Sequence, residues 1–125
     1  MLRRGSVIWA ILRGPNGELI LDDHGKPKRR PALVLSTQAE IDSGDVLRVA
    51  AISSKFDRHN LPSNWFHVPS QPGGHPDTGL DQPSVVKADW LARIDQADVI
   101  SVSRRPVGAA TKQVLNWLAQ QSPPE

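Results

Sequence analysis

Cysteine is absent from this 125-residue sequence. Its absence excludes disulfide bridges, thiolate metal sites and cysteine nucleophiles, and it fits the cytoplasmic location that we expect. Long apolar runs are missing as well: none approaches the roughly 20 residues that a membrane-spanning helix needs, so we expect no membrane partner. The basic start at 1–5 is followed one strand length later by a polar break at 13–17, which favours a first strand over a signal peptide.

A large excess of charge of either sign is also lacking. There are 15 Lys and Arg against 13 Asp and Glu, which leaves a net charge of +2, so the whole molecule is not a strong polyanion binder. The distribution is more informative, because Lys26, Lys28, Arg29 and Arg30 lie within five residues. Such a patch can hold phosphates while the rest of the surface stays neutral. A charge run alone is more often a solvated loop.

Proline and glycine occur throughout the chain and divide it into short segments, which is typical of a barrel or sandwich of short strands. The length fits one domain, which we place at 1–121, with a disordered tail at 122–125. Asn16 and Gly17 predict a hairpin whose second strand, 18–21, returns along the first. Apolar, β-branched or aromatic residues predict strands at 6–12, 32–35, 46–52, 64–68, 84–87 and 99–102.

Helical structure is expected mainly near the C-terminus. Pro106 suits the first turn of a helix at 106–120, and the spacing of the apolar residues there gives one face that would cover the sheet. Short helical turns are predicted at 38–41 and 89–92, and residues 70–78 form a Pro/Gly-rich loop. The residues alone therefore indicate a mainly β protein with a C-terminal helix.

Three segments, in this order, resemble the MazF/PemK (Kid) family of toxins. Residues 4–9 (RGSVIW) are similar to its opening Arg-Gly-x-Val/Ile-Tyr/Trp strand, and residues 29–36 (RRPALVLS) to its Arg-Pro-Ala/Val-Leu-Val strand. Residues 79–89 (GLDQPSVVKAD) are similar to its Gly-Leu-x-x-x-Ser-Val-Val/Ile segment and the turn that follows. The loop at 14–28 departs from the family, because it is longer, acidic in its middle and basic at its end.

The resemblance implies a small SH3-like β-barrel of the CcdB/Kid/MazF type with a C-terminal helix. It also implies the toxin of a type II toxin–antitoxin system, a sequence-selective endoribonuclease that cuts single-stranded RNA without a metal or other cofactor. The products would be a 2′,3′-cyclic phosphate and a 5′-OH. The implied partners are single-stranded RNA, a second copy in a symmetric homodimer, and a cognate antitoxin whose peptide covers the RNA groove.

Arg30 lies at the arginine of the Arg-Pro motif, where the family keeps a catalytic arginine. A guanidinium stays charged and can direct two hydrogen bonds at phosphate oxygens, which suits the stabilisation of a phosphorane. Ser53 lies where the family has a catalytic or phosphate-contacting threonine or serine, and Ser54 is the alternative one residue on. A hydroxyl there can position a phosphate oxygen. The alternative role of Ser53 is to cap a strand end.

Lys87 and Asp89 occupy the place where one branch of the family has an arginine and an aspartate as acid and base. Lysine keeps the charge of the arginine but loses its planar fork. Asp89 is also suited to cap the predicted turn at 89–92. We take Arg30, Ser53, Lys87 and Asp89 as the candidate catalytic residues.

Further residues are candidates for RNA binding. The cations among them would hold phosphates, His24 lies in the loop where a branch of the family has an assisting histidine, and Trp65 could stack on an unpaired base. Core packing is the alternative for the tryptophan. The four histidines have no ligand-like spacing, so we assign no metal site. The RNA-binding candidates are Lys28, Arg29, Lys55, His24, Ser54 and Trp65.

Two other functions stay open, since fold does not imply function. One is a toxin of the same fold that inhibits DNA gyrase, as CcdB toxins do. The other is a non-catalytic barrel that binds nucleic acid or a protein partner. The basic run at 26–30 favours RNA over a protein target, whereas Lys87 and the altered loop at 14–28 favour the binding module. We expect that loop to become ordered on binding RNA or antitoxin.

Overall fold

The computed structural model describes residues 2–11, 13, 16, 18–57, 59–102 and 108–121, with the backbone alone at 89 and 90. These residues form six strands and two α-helices, with one 3-10 turn at 96–98. The strands are β1 (Val7–Ile11), β2 (Arg29–Val34), β3 (Leu47–Ser53), β4 (Trp65–Val68), β5 (Ser84–Ile94) and β6 (Val99–Val102). The helices are α1 (Gln38–Asp42) and α2 (Ala109–Gln121).

All six strands belong to one antiparallel sheet with the order β4-β5-β3-β2-β1-β6. The edge strands β4 and β6 do not pair with each other within the described residues, so the sheet is not closed by hydrogen bonds. The predicted fold class, mainly β with a C-terminal helix, is confirmed.

Apolar side chains are buried on both faces of the sheet. Because successive residues of a strand point to opposite faces, β2 contributes Leu33 to one core and Val34 to the other. The core around Val34 includes Ile41 of α1, and the core around Leu33 includes Val114 and Leu118 of α2. Burial on both faces explains why the central strands form continuous apolar runs in the sequence.

Strand β5 differs from the predicted strand at 84–87 and helical turn at 89–92. The chain stays extended through all 11 residues of β5. The predicted helical turn is therefore wrong, and Asp89 has no helical turn to cap. Pairing with distant strands, rather than local propensity, decides the conformation here.

Both halves of β5 pair with β3. Val86 lies opposite Ile52, and Leu91 lies opposite Ala50. Five steps along β5 (86 to 91) thus match two steps along β3 (52 to 50), and the register shifts at this point. Irregularities of this kind bend a strand and re-aim its side chains. Asp89 lies inside the irregular interval.

Within the described residues, the predicted second strand of a hairpin at 18–21 is present as two isolated antiparallel bridges. Leu19 pairs with Arg13 across the predicted turn, and Leu21 pairs with Pro27. β1 itself pairs with β2 along its whole length. Gly17, from the predicted turn, lies outside the described residues. The basic run at 26–30 therefore enters the sheet directly as the start of β2.

The short helix α1 confirms the predicted helical turn at 38–41 and begins with a capping box. The Thr37 side chain accepts a hydrogen bond from the Glu40 N–H, and the Glu40 carboxylate accepts one from the Thr37 N–H at 3.0 Å. That backbone bond, together with a hydrogen bond from Arg48, lowers the pKa of Glu40 to about 2. The hydrogen bond from Arg48 to Glu40, at 2.9 Å, joins α1 to β3.

Helix α2 confirms the predicted C-terminal helix. Residues 103–107, which include its predicted start, and the predicted tail at 122–125 lie outside the described part of the chain. The first turn of α2 is capped by a distant residue: Oδ2 of Asp77 accepts a hydrogen bond from the Ala110 N–H at 3.1 Å. The cap fastens the helix to the loop at 70–78.

That loop is closed by hydrogen bonds onto Leu80. The N–H groups of Gln71 and His75 both donate to the Leu80 carbonyl at 3.0 Å. The buried Thr78 hydroxyl accepts from the Leu80 N–H at 3.1 Å, and the Leu80 side chain is itself buried. These contacts fix the backbone immediately before β5.

Asp77→Ala is expected to lower the free energy of unfolding by about 1 kcal/mol, which is the usual cost of losing a helix cap. The carboxylate also packs closely on Gly108, where a Cβ would overlap it. Urea unfolding measures the change. Asp23→Ala removes an exposed carboxylate elsewhere and serves as the control. Equal midpoints for Asp77→Ala and the control would show that α2 does not depend on this cap.

Candidate functional site

A cleft of about 260 Å³ opens at the end of the sheet where β2 begins and β3 ends. The two strands are antiparallel, with Ala32 opposite Ala51, and two further steps place Arg30 opposite Ser53. The loop that leads into β5 closes the far side of the cleft. The local folding of three separate segments therefore brings the predicted arginine and serine into one site.

The side of the cleft that is formed by the start of β2 and the end of β3, here called the near side, is basic. Lys28, Arg29, Arg30 and Lys55 all line it. Arg30 is half-buried, with its Nε atom inaccessible to solvent, whereas Arg29 and Lys55 are exposed. Their combined charge makes this end of the sheet a favourable place for a phosphate group, although the net charge of the whole chain is small.

The predicted hydroxyls lie beside these cations. Ser53 and Ser54 both line the cleft. Ser53 is 5% exposed, and its Oγ accepts a hydrogen bond from the Lys55 N–H at 3.2 Å. The same Oγ is 3.5 Å from the Lys55 carbonyl, so its proton is only weakly held. Ser53 thus fastens the turn that carries Lys55, and Ser54 is the more exposed hydroxyl of the two.

Lys87 and Trp65 are brought together but lie outside the lining of the cleft. They are opposite each other on β5 and β4, and the Lys87 Nζ lies 4.2 Å from the centre of the Trp65 ring. A cation over an aromatic face is attracted to the ring electrostatically. The side chain of Asp89, two residues on, is not among those that the structure describes.

Histidine makes no contribution to the cleft among the described residues that line it. His24 is exposed in the turn that follows Asp22, and its backbone N–H donates to the Asp22 carboxylate at 2.8 Å. Within the described part of the chain, no three His, Cys, Asp or Glu side chains are grouped so that they could hold a metal ion.

Three further polar residues, with no role predicted from the sequence, line the far side of the cleft: Asp81, Gln82 and Ser84. All three lie in the segment that carries the third family motif. The signal that could have found them is their place between Leu80 and the apolar run of β5, since polar residues in the loop that leads into a strand often carry function.

The fold and the cleft together define a small β-sheet protein with a basic cleft at one end and a helix over one face. A family model described as "PemK-like, MazF-like toxin of type II toxin-antitoxin system" matches residues 3–121. The chain belongs to this family, and membership implies an antitoxin partner. No individually curated protein matches the chain. None of the helices in the described ranges is long and apolar enough to cross a membrane.

Proposed function

We propose that this toxin is a metal-independent, sequence-selective endoribonuclease that cleaves single-stranded RNA, an mRNA interferase. The observation that carries the proposal is the cleft, in which four cations and three serine hydroxyls meet at one end of the sheet. Phosphate is the group that such a site attracts most strongly. Family membership supports the choice of an RNA phosphodiester. Arg30, which lines the cleft, is the arginine of the Arg-Pro motif, and the family keeps a catalytic arginine for RNA cleavage at that position.

The reaction uses the 2′-OH of the substrate as the nucleophile. The 2′ oxygen attacks the adjacent phosphorus, the bond from phosphorus to the 5′ oxygen breaks, and the products are a 2′,3′-cyclic phosphate and a 5′-OH. Arg30 stabilises the charge that develops on the phosphorane, because a fixed cation in a partly buried site needs little reorganisation. Ser53 and Ser54 position a non-bridging oxygen.

The other cations bind the RNA backbone. Lys28, Arg29 and Lys55 would contact phosphates that flank the scissile one, which gives affinity without base preference. His24 and Trp65 lie beyond the cleft and would contact nucleotides further along the strand.

Two protons must move in this reaction. We assign the 2′ proton to the carboxylate of Asp89 and the proton of the leaving 5′ oxygen to Lys87. They occupy the positions where one branch of the family has an aspartate as the base and an arginine as the acid. The irregular pairing of β5 supports a functional role for this interval, since such irregularities often re-aim a side chain next to an active site.

The toxin acts as a symmetric homodimer in the cytoplasm, and the RNA groove of the proposal crosses both subunits. The antitoxin peptide covers that groove and blocks the cleft. A gyrase-inhibiting toxin and a non-catalytic binding module are the competing functions, and both lack RNA cleavage.

The test is incubation of the purified protein with a long unstructured RNA in EDTA. We expect cuts at a short repeated word, with cyclic phosphate on the 3′ ends and hydroxyl on the 5′ ends, because neither step draws on a metal ion. End-specific labelling and sequencing of the fragments measure both. A folded protein that leaves several such RNAs intact would overturn the proposal in favour of a competing function.

A further inference from the structure

The far wall of the cleft differs in chemistry from the near wall. Asp81 is the one carboxylate among the described residues that line the cleft, and Gln82 is the one amide. Both side chains are exposed. Within the described residues neither carboxylate nor amide makes a side-chain hydrogen bond or ion pair, so both keep their full capacity for a ligand.

The contrast between the walls gives a bound nucleotide a direction. A phosphate is attracted to the side of Arg30 and repelled by the carboxylate of Asp81, because like charges disfavour each other at short range. The base of the same nucleotide is then left to face Asp81 and Gln82. Carboxylates and amides are among the side chains that read base edges, since they match the donors and acceptors of the bases.

The backbone of this wall is held firmly. Leu80 is buried and receives the hydrogen bonds that close the loop before it. On the other side, the Ser84 hydroxyl donates to the Gln82 carbonyl at 3.0 Å. Two base-contacting side chains on a short segment that is fixed at both ends can discriminate between bases better than side chains on a mobile loop.

We propose that Asp81 and Gln82 are specificity-determining residues that select a base with an exocyclic amino group. This inference rests on the proposed function. The Asp81 carboxylate accepts a hydrogen bond from the amino group of cytosine, adenine or guanine, and it repels the O4 carbonyl that uracil presents where cytosine has its amino group. Gln82 supplies a donor and an acceptor beside it. The two residues act on the choice of base rather than on the transfer of protons.

The experiment compares wild type with Asp81→Asn and Gln82→Ala on an RNA pool of random sequence in EDTA, with the cut sites sequenced. Asp45→Asn and Gln113→Ala are matched controls, because both residues are exposed and do not line the cleft. A second arm measures which sequences of a 2′-O-methyl RNA pool each protein retains. That pool cannot be cleaved, so base selection is measured apart from the reaction.

We expect Asp81→Asn to admit uracil at one position of the word and to lose about tenfold in preference for the original base, since one base contact discriminates by roughly this factor. Gln82→Ala relaxes preference at the same or the neighbouring position, and the controls keep the wild-type word. An unchanged word in both variants overturns the inference, and so does a uniform loss of cleavage in Asp81→Asn with the word retained.

Failure of the proposed function gives a different result. A wild type that cuts no RNA but retains a preferred sequence, and loses that preference in Asp81→Asn, overturns the nuclease and keeps the base-reading wall. A wild type that neither cuts nor retains RNA with any preference overturns both.

Discussion

Arg30→Ala is expected to lower the rate of RNA cleavage by about 100- to 1000-fold, the usual loss when one fixed donor to a developing negative charge is removed. The guanidinium lies half-buried at the start of β2, in the same cleft as Ser53 and Ser54. Its position opposite Ser53 follows from the pairing of two central strands, so no loop movement is needed to place it. Single-turnover rates on a short RNA that contains the preferred word measure the effect.

Two variants control for this result. Arg30→Lys keeps the charge but loses the planar fork, so its rate should lie between those of wild type and Arg30→Ala. Arg29→Ala removes a neighbouring cation that is exposed, and it should weaken RNA binding and its salt dependence more than the rate at saturation. A rate for Arg30→Ala close to that of wild type, in a protein that unfolds at the wild-type midpoint, would remove Arg30 from the reaction.

The central strands could be predicted from the sequence because they are buried on both faces. The run Ala32, Leu33 and Val34 lies at most 1% exposed, so neither face needs a polar residue and the apolar signal is continuous. Helix α2 was predictable for a related reason, since Val114 and Leu118 repeat at helical spacing and pack on one core.

Strand β5 was not predictable in its second half, because nothing local specifies it. This half of β5 is extended because it pairs with β3, and the register of that pairing is set by residues about 40 positions away. The cap on α2 is likewise non-local, since Asp77 is 33 positions from Ala110, whose N–H donates the hydrogen bond to it.

The candidate site divides in the same way. The motif around Arg30 and the serines at the end of β3 predicted residues that the sheet does bring together, because adjacent antiparallel strands place the start of one beside the end of the other. The contact between Lys87 and Trp65 depends on the register of β4 against β5, and the wall formed by Asp81 depends on closure of the loop before it. Neither of these two arrangements can be predicted from a local sequence pattern.

Asp89→Asn is expected to lower the cleavage rate by about 100- to 10,000-fold, the range for loss of a general base, while the recognised word and the RNA affinity stay as in wild type. The amide keeps the size of the side chain but cannot accept the 2′ proton. The rate of wild type should rise with pH as the carboxylate ionises and then level off, and the variant should lose that acid limb. A pH–rate profile under single-turnover conditions measures both features.

Asp81 and Asp89 can be distinguished by experiment, because Asp81 is proposed to select the base and Asp89 to accept the 2′ proton. Asp81→Asn should change the word that is cut, whereas Asp89→Asn should reduce cutting at every word alike. Lys87→Met, which removes the ammonium that lies over Trp65, should also reduce cutting at every word alike, since the acid that protonates the leaving oxygen is gone. A full rate and an intact acid limb in Asp89→Asn would transfer the role of base to a group inside the cleft, and a collapsed acid limb in Asp81→Asn would identify that group as Asp81.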